Sequence, residues 1–209
     1  MKKFSKIARD GIWQQNPALV QLLGLCPLLA VSNSFVTAFS LGIVTVLVLT
    51  ISNVVISIIR LILNEDLSLT TQITVLATCL ILSDIALQAW YFELHHRIGL
   101  FVALIVTNCS LLSRAELSSS SNPIISSAID GLMMGLGFFW VIVLMGTIRE
   151  GLGSGTLFSN MHMLLGPAGK NLEITFSHNG FLLLVLPPGA FLSLGFLIAL
   201  KNFLFDNRD

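Results

Sequence analysis

The feature that most constrains this chain is a long stretch without charge. From Gly11 to Ile59, 49 consecutive residues include no Lys, Arg, Asp or Glu. A helix needs about 20 apolar residues to cross the hydrocarbon core of a bilayer, so this stretch is too long for one buried helix of a soluble domain. Only 11% of all residues are charged, against about 25% in soluble globular domains. We therefore expect an integral membrane protein, and not a soluble enzyme, a secreted disulfide-rich domain or a nucleic-acid-binding protein.

Charged and turn-forming residues divide the chain into six apolar runs, which predict an all-α protein with six transmembrane helices. The runs cover residues 18–31, 35–59, 71–92, 98–113, 124–148 and 180–200. The first and the fourth are shorter than the hydrocarbon core, because they extend only roughly 21–24 Å as helices and the core is about 30 Å thick. Short or broken helices are tolerated at membrane depth only where protein or a cavity covers the freed backbone groups.

The two halves of the chain repeat. Gly42 precedes Arg60 by the same interval that separates Gly131 from Arg149. An odd number of crossings in each half turns the second half upside down, which is the inverted repeat of many transporters. The sequence therefore predicts two inverted three-helix repeats, each with a short or broken first helix.

Three segments follow from this division. Residues 1–16 are expected to form a cytoplasmic segment at the membrane interface, because basic and apolar residues alternate there and no signal-peptide cleavage site follows. The first repeat is expected over 17–93 and the second over 94–209. A glycine-rich loop is expected at 151–179, before the last run.

The basic residues predict the orientation in the membrane. Cytoplasmic flanks of membrane helices carry an excess of Lys and Arg. With the N-terminus inside and six crossings, the cytoplasmic side has eight of the 11 basic residues, and the opposite side has Arg97, Arg149 and Lys170. Both termini are therefore expected in the cytoplasm.

Cys26 and Cys109 are the strongest candidates for chemistry. They lie at matching points of the two short runs, and paired short or interrupted segments point to the functional site of an inverted repeat. Thiolates favour iron–sulfur clusters, zinc or Cu(I), and an iron–sulfur cluster usually takes four of them. Two thiolates would be half of such a set, which a partner chain would complete. The alternative is that both cysteines are small apolar packing residues, as we interpret Cys79, which has no counterpart.

Two carboxylates within apolar runs are candidates for a cation pathway. Asp84 lies near the middle of the third run, and Asp130 lies near the start of the fifth. A carboxylate in a span costs roughly 2.5–3.5 kcal/mol on insertion scales, so it must face protein, water or a cation. We expect a functional role for Asp84, whereas the helix dipole at a helix start is enough to explain Asp130.

The remaining charged residues near the run ends are expected to be structural. Such residues mostly anchor membrane helices at the interface. Five residues are expected to do so: Arg60, Arg114, Glu116, Arg149 and Glu150. The adjacent His95 and His96 cannot share a helix face and are expected in a loop.

Several motifs resemble those of one family of membrane subunits. They are LLGLCPLLAV (22–31), IVTNC (105–109), SRAE (113–116), Asp-Gly at 130–131, Arg-Glu at 149–150, GSGTLF (153–158) and LPPGAF (186–191). From Ile7 to Phe205 the chain resembles the E subunit of the Rnf (Rsx) ion-translocating electron transport complexes. It is also similar to the D subunit of the sodium-translocating NADH:quinone reductases.

The resemblance implies a subunit without independent activity, in the inner membrane of a bacterium, within a complex that couples electron transfer to the movement of Na⁺ or H⁺. It implies pairing with the homologous A subunit of the complex. It also implies that Cys26 and Cys109 are two ligands of an intramembrane [2Fe–2S] cluster, which the A subunit completes. Nothing in the sequence suggests that the chain itself binds a nicotinamide, a flavin or another small-molecule substrate. A secondary transporter or a purely structural membrane subunit is the alternative, and neither explains the paired cysteines.

Overall fold

The structure, a computed structural model, describes most of the apolar part of the chain. The described residues are 16, 18–22, 24–63, 69–90, 92–103, 124–159, 161, 174–175 and 181–205. Apart from Asn16, the N-terminal segment predicted at the interface lies outside these residues. Cys109, Arg114, Glu116 and Lys170 lie outside them as well.

The described part is helical except for one short β pair. In chain order its helices are α1 (Leu25–Val31), α2 (Phe35–Leu63), α3 (Leu69–Trp90), α4 (Phe92–Ala103), α5 (Ile124–Gly153), α6 (Leu182–Val185) and α7 (Pro187–Phe205). Strands β1 (Thr156–Leu157) and β2 (Ile174–Thr175) lie between α5 and α6. They pair antiparallel, with Thr156 opposite Thr175, so the glycine-rich segment expected to be a loop contains a two-residue β ladder.

Three of the described helices are long and apolar enough to cross a membrane. The candidate spans are Phe35–Ile59 in α2, Thr70–Trp90 in α3 and Ile125–Gly153 in α5, with mean hydropathies of 2.5, 1.7 and 2.0. They correspond to the second, third and fifth apolar runs. The expected helical membrane protein is therefore confirmed in this part of the chain.

Helices α2 and α5 pack antiparallel and very closely. A Cβ added to Gly146 would lie 2.8 Å from the Cβ of Ala38, and one added to Gly135 would lie 3.0 Å from the Cα of Val46. Later residues of α2 thus contact earlier residues of α5, so the two helices run in opposite directions. Small residues at such contacts let helix backbones approach in membranes, where dispersion contacts and not the hydrophobic effect drive helix association.

One apolar core joins most of the helices. Its fully buried members include Leu28 of α1, Leu41 of α2, Val102 of α4, Ile142 of α5 and Ala190 of α7. The short helix α1 is therefore packed into the molecule and is not a surface appendage.

The first apolar run is only partly helical. Residues 18–22 form turns, and the backbone is left-handed at Leu22 (φ 53°) and Gly24 (φ 77°) before α1 begins. Left-handed residues cannot continue a right-handed helix, so only seven residues of this run are helical. This agrees with the expected short and broken first helix. The fourth run is described only up to residue 103, within α4.

The last apolar run is interrupted as well. Leu186 is extended (ψ 160°) between the end of α6 at Val185 and the start of α7 at Pro187. Proline disfavours helical backbone in the residue before it and cannot donate a backbone hydrogen bond. The break leaves backbone carbonyls at the end of α6 that need other donors.

The placement of His95 and His96 in a loop was wrong. Both lie on α4, which begins at Phe92, before the apolar run from which the fourth helix was predicted. The His95 ring contacts Asp84 on α3, with the two polar atoms 3.1 Å apart. This contact gives the polar start of α4 a partner on α3. A helix boundary drawn from hydropathy alone does not include such a polar turn.

Candidate functional site

Cys26 lies in the first turn of α1, and its side chain is exposed. The next two residues, Pro27 and Leu28, are buried, so they attach α1 to the core while Cys26 remains accessible. A packing cysteine is normally buried, whereas a thiol that binds a metal group together with another chain must reach the surface. The exposure of Cys26 leaves its thiol accessible to a group shared with another chain.

A cavity of about 340 Å³ adjoins Cys26. It lies where α1, the end of α5 and the break between α6 and α7 meet. Its lining residues are Cys26, Leu29, Ala30, Asn33, Arg149, Val185 and Pro187. Cys26 and Arg149 thus line one common cavity.

Arg149 ties together the ends of two helices that are far apart in the sequence. Its Nη1 donates hydrogen bonds to the carbonyl of Leu29 (3.0 Å) and to Oγ of Ser32 (2.7 Å). Its Nε donates to the carbonyl of Leu184 (3.0 Å), and Nη2 donates to that of Val185 (2.6 Å). The last four carbonyls of a helix have no partner within the helix. The guanidinium therefore satisfies the carbonyl ends of both α1 and α6.

Glu150 accepts hydrogen bonds from backbone N–H groups, whereas Arg149 donates hydrogen bonds to backbone carbonyls. Its Oε2 accepts a hydrogen bond from the backbone N–H of Phe35 (2.5 Å), and its Oε1 accepts one from the N–H of Ser159 (2.6 Å). Phe35 is the first residue of α2, and negative charge is favourable at a helix N-terminus. The two adjacent charges are thus matched to opposite helix ends, Arg149 to carbonyls and Glu150 to amides.

The interpretation of Arg149 and Glu150 as interfacial anchors was wrong. Each is only 1% exposed. The physical reason is that broken helices inside a membrane protein free backbone groups, which need partners that the bilayer cannot provide. A signal was present in the sequence, since the Arg-Glu pair lies in a chain with broken apolar runs. The side chain of Arg60, for which the same role was expected, lies outside the described residues.

Asp84 has a partner on the neighbouring helix. Its Oδ1 lies 3.1 Å from Nε2 of His95, and the side chains are 37% and 22% exposed, respectively. Gly99, one turn after His95, leaves room for the ring, because a Cβ there would lie 2.8 Å from Nε2. The carboxylate thus has a polar contact on the neighbouring helix.

The other candidate residues do not join Cys26. Asp130 is half-buried in the second turn of α5, roughly 28 Å along that helix from Arg149 at 1.5 Å per residue. Cys79 is half-buried on α3, and Cys109 lies outside the described residues. Within the described ranges, no three His, Cys, Asp or Glu side chains come together in a way that could hold a metal ion. A complete ligand set at Cys26 would need Cys109, another chain or both.

Comparison with known proteins shows a family. Residues 4–198 match the profile of the family described as "Rnf-Nqr subunit, membrane protein". The chain is 48% identical over 201 residues to a protein of Pseudomonas aeruginosa (strain UCBPP-PA14) that is named as the E subunit of the ion-translocating oxidoreductase complex, covering 95% of this chain and 84% of that protein. Proteins with the same name from Pseudoalteromonas atlantica and Rhodobacter capsulatus are each 46% identical. These alignments cover 100% and 96% of this chain, and 90% and 84% of the relatives.

Proposed function

Because the chain belongs to the Rnf-Nqr family of membrane subunits, we propose that it is the E subunit of an ion-translocating oxidoreductase complex. In this complex, electron transfer is coupled to the movement of Na⁺ or H⁺ across the inner membrane. The names of relatives that are 46–48% identical over nearly the whole chain support the assignment. The protein acts only within the complex, with the homologous A subunit as its direct partner and both termini in the cytoplasm.

The two halves of the chain form inverted three-helix repeats in this proposal. The packing of α2 against α5 supports it. When Gly42 is matched with Gly131, as the spacing to the following arginine suggests, Val46 matches Gly135, and these two residues meet where the helices cross. A twofold axis in the membrane plane brings equivalent residues together at such a crossing.

Cys26 and Cys109 are the proposed ligands that this chain provides to an intramembrane [2Fe–2S] cluster. The observation that carries this assignment is the exposed thiol of Cys26 on a short, broken membrane segment beside a cavity. Thiolates are the usual ligands of such clusters, which transfer single electrons when bound. Residues of this chain would hold two of the four coordination positions, and the A subunit would hold the others. The bond from Arg149 to the carbonyl of Leu29 keeps the cysteine-bearing helix in place.

The proposed cation pathway passes Asp84, with Asp130 as a second candidate. Asp84 is partly exposed and lies in a candidate span, where a carboxylate is costly unless it faces a positive charge. Its contact with His95 brings a second polar side chain to this point of the span, where an entering Na⁺ or H⁺ can bind to the carboxylate of Asp84.

The cysteine assignment is tested by the iron content and the reduced-state EPR spectrum of the co-expressed complex. Wild type is compared with Cys26→Ser, Cys109→Ser and Cys79→Ser, the last being a matched control at the half-buried third cysteine. We expect the first two changes to remove one [2Fe–2S] signal from an assembled complex and Cys79→Ser to leave it intact. If all three variants keep the wild-type iron content and spectrum, the cysteines are packing residues, and a transporter-like or structural role becomes the better explanation.

A further inference from the structure

The buried guanidinium of Arg149 keeps its charge. Among the described residues, every group that accepts a hydrogen bond from it is neutral: the hydroxyl of Ser32 and the carbonyls of Leu29, Leu184, Val185 and Leu186. The adjacent carboxylate, that of Glu150, is bound to backbone N–H groups instead. An arginine side chain is not deprotonated in proteins. Within the described part of the chain, Arg149 is therefore a positive charge without a carboxylate in contact.

This charge shares a cavity with Cys26. Among the described lining residues, the third polar one is Asn33, which is neutral, and none is acidic. Nη1 of Arg149 is also bonded to the carbonyl of Leu29, which lies one helical turn after Cys26 on α1. Opposite charges attract more strongly in protein surroundings than in water. The fixed charge of Arg149 therefore attracts an anionic group that enters this cavity more than a cationic one.

We propose that Arg149 is a positioning residue for Cys26, and that its charge makes the surroundings of this thiol electropositive. A metal cluster bound to Cys26 would then have its more negative, reduced form stabilised. The statement about the cluster rests on the proposed function, whereas the statement about the thiol does not.

The thiol can be tested in the full chain without any partner. Cys79→Ser and Cys109→Ser together leave Cys26 as the single cysteine. The chain, in nonionic detergent, reacts with two methanethiosulfonate reagents of similar size, one anionic and one cationic. Each forms a disulfide with the thiolate and releases methanesulfinate. Because access and the thiolate fraction affect both rates equally, the ratio of the rates reports the local electrostatic potential.

We expect the anionic reagent to be preferred at Cys26 several-fold more than at a small neutral thiol in the same detergent. Arg149→Gln should abolish this preference, and Arg149→Lys, which keeps the charge, should restore most of it. Ser32→Ala is the matched control, because it removes one bond of Arg149 but not the charge. A purely structural role would alter both rates together and leave their ratio unchanged.

Two results would overturn the proposal: a ratio at Cys26 equal to that of the reference thiol, or equal ratios in Arg149→Gln and in its parent. An equal loss of the preference for the anionic reagent in Arg149→Lys and Arg149→Gln would also contradict the proposal, because the charge of Arg149 would then not be the cause of that preference. If Arg149→Gln does not accumulate, the ratio of reagent rates in the chain that keeps Arg149 still tests the proposal. Its preference for the anionic reagent must then exceed that of the reference thiol and must weaken at high salt, which screens charge.

The consequence for the cluster is measured as the midpoint potential of the EPR signal in the assembled complex. Arg149→Gln should give a more negative midpoint than wild type, and Arg149→Lys should lie close to wild type. Each tenfold loss in preference for the reduced form corresponds to 59 mV for a one-electron couple. A wild-type complex without any cluster signal would disprove the proposed function, while the reagent ratio would still decide the effect of Arg149 on Cys26.

Discussion

Glu150 holds two backbone amides with one carboxylate, and this double use makes it sensitive to a change of a single atom. The N–H of Phe35 and the N–H of Ser159 each donate to a different oxygen. A glutamine side chain has only one acceptor oxygen. The other amide would then face an NH₂ group, which cannot accept its hydrogen bond.

We therefore predict that Glu150→Gln lowers the free energy of unfolding by about 1–3 kcal/mol, the cost of leaving a buried donor without its acceptor. Thermal unfolding of the purified chain in detergent measures this. Lys201→Gln, which removes a charge from a half-buried position on α7, is the control and should change the midpoint little. A midpoint for Glu150→Gln equal to that of the control would show that the two hydrogen bonds contribute nothing.

Asp84 and His95 are predicted to act together in ion movement. Asp84→Asn and His95→Gln should each reduce the ions transported per electron several-fold in vesicles that contain the complex, because each removes one partner of the pair. His96→Gln is the matched control, since His96 is adjacent on α4 and exposed. Normal transport in both Asp84→Asn and His95→Gln would exclude the pair from the pathway.

Single residues differ in how far the sequence reveals their roles. Asp84 could be singled out, because a carboxylate in an apolar run is conspicuous in a single sequence. Its partner could not, since His95 lies beyond a turn and its proximity depends on how α4 folds back on α3. Arg149 was misjudged for the same reason, as its partners on α1 and α6 are distant in the sequence.

Among the elements, α2 and α5 approach closely where glycines lie between them. At Gly146 a Cβ would lie 2.8 Å from the Cβ of Ala38 and 3.2 Å from the carbonyl oxygen of Ser34. The backbone oxygen cannot move away without shifting α2. At Gly195 on α7, by contrast, no atom lies within 4 Å of the added Cβ.

This difference gives a matched pair of variants. Gly146→Ala should destabilise the chain by about 1–3 kcal/mol, the usual cost of overpacking. Gly195→Ala should be neutral or stabilising by up to about 1 kcal/mol, because alanine favours helix more than glycine does. Thermal unfolding in detergent compares them directly. Equal effects of the two changes would mean that α2 and α5 are not closely packed in solution.

Long elements were predictable and broken ones only in part. Uniform hydropathy over about 20 or more residues identified α2, α3 and α5, because the bilayer imposes that length. The shortness of the first run was visible from its flanking polar residues. The breaks at Gly24 and Leu186 have local signals in the glycine itself and in Pro187. The partner of the carbonyls freed at the end of α6 was not predictable, because Arg149 is brought from elsewhere in the fold.

For the whole molecule, the charge bias of the flanks predicts a definite orientation. Ser154, just after α5, should face the periplasmic side, and Asn202, near the end of α7, should face the cytoplasm. Both side chains are exposed. In a chain without native cysteines, Ser154→Cys should react with a membrane-impermeant maleimide applied to intact spheroplasts. Asn202→Cys should react only after the membrane is permeabilised.

The opposite pattern would reverse the orientation, and equal labelling of both positions in intact spheroplasts would place α5 and α7 in a different topology.

The membrane class and the approximate number of runs could be predicted from composition alone, since a bilayer tolerates few charges. The relative placement of the two halves could not, because it depends on the close α2–α5 contact and not on hydropathy.

The bonds of Arg149 also have a consequence for biosynthesis. Its acceptors lie on both sides of it in the chain, at Leu29 and Ser32 before it and at Leu184 and Val185 after it. While the ribosome is still producing the last apolar run, the guanidinium has only its earlier acceptors. The complete set of bonds that joins the cysteine-bearing helix α1 to α6 can therefore form only after α6 has been synthesised.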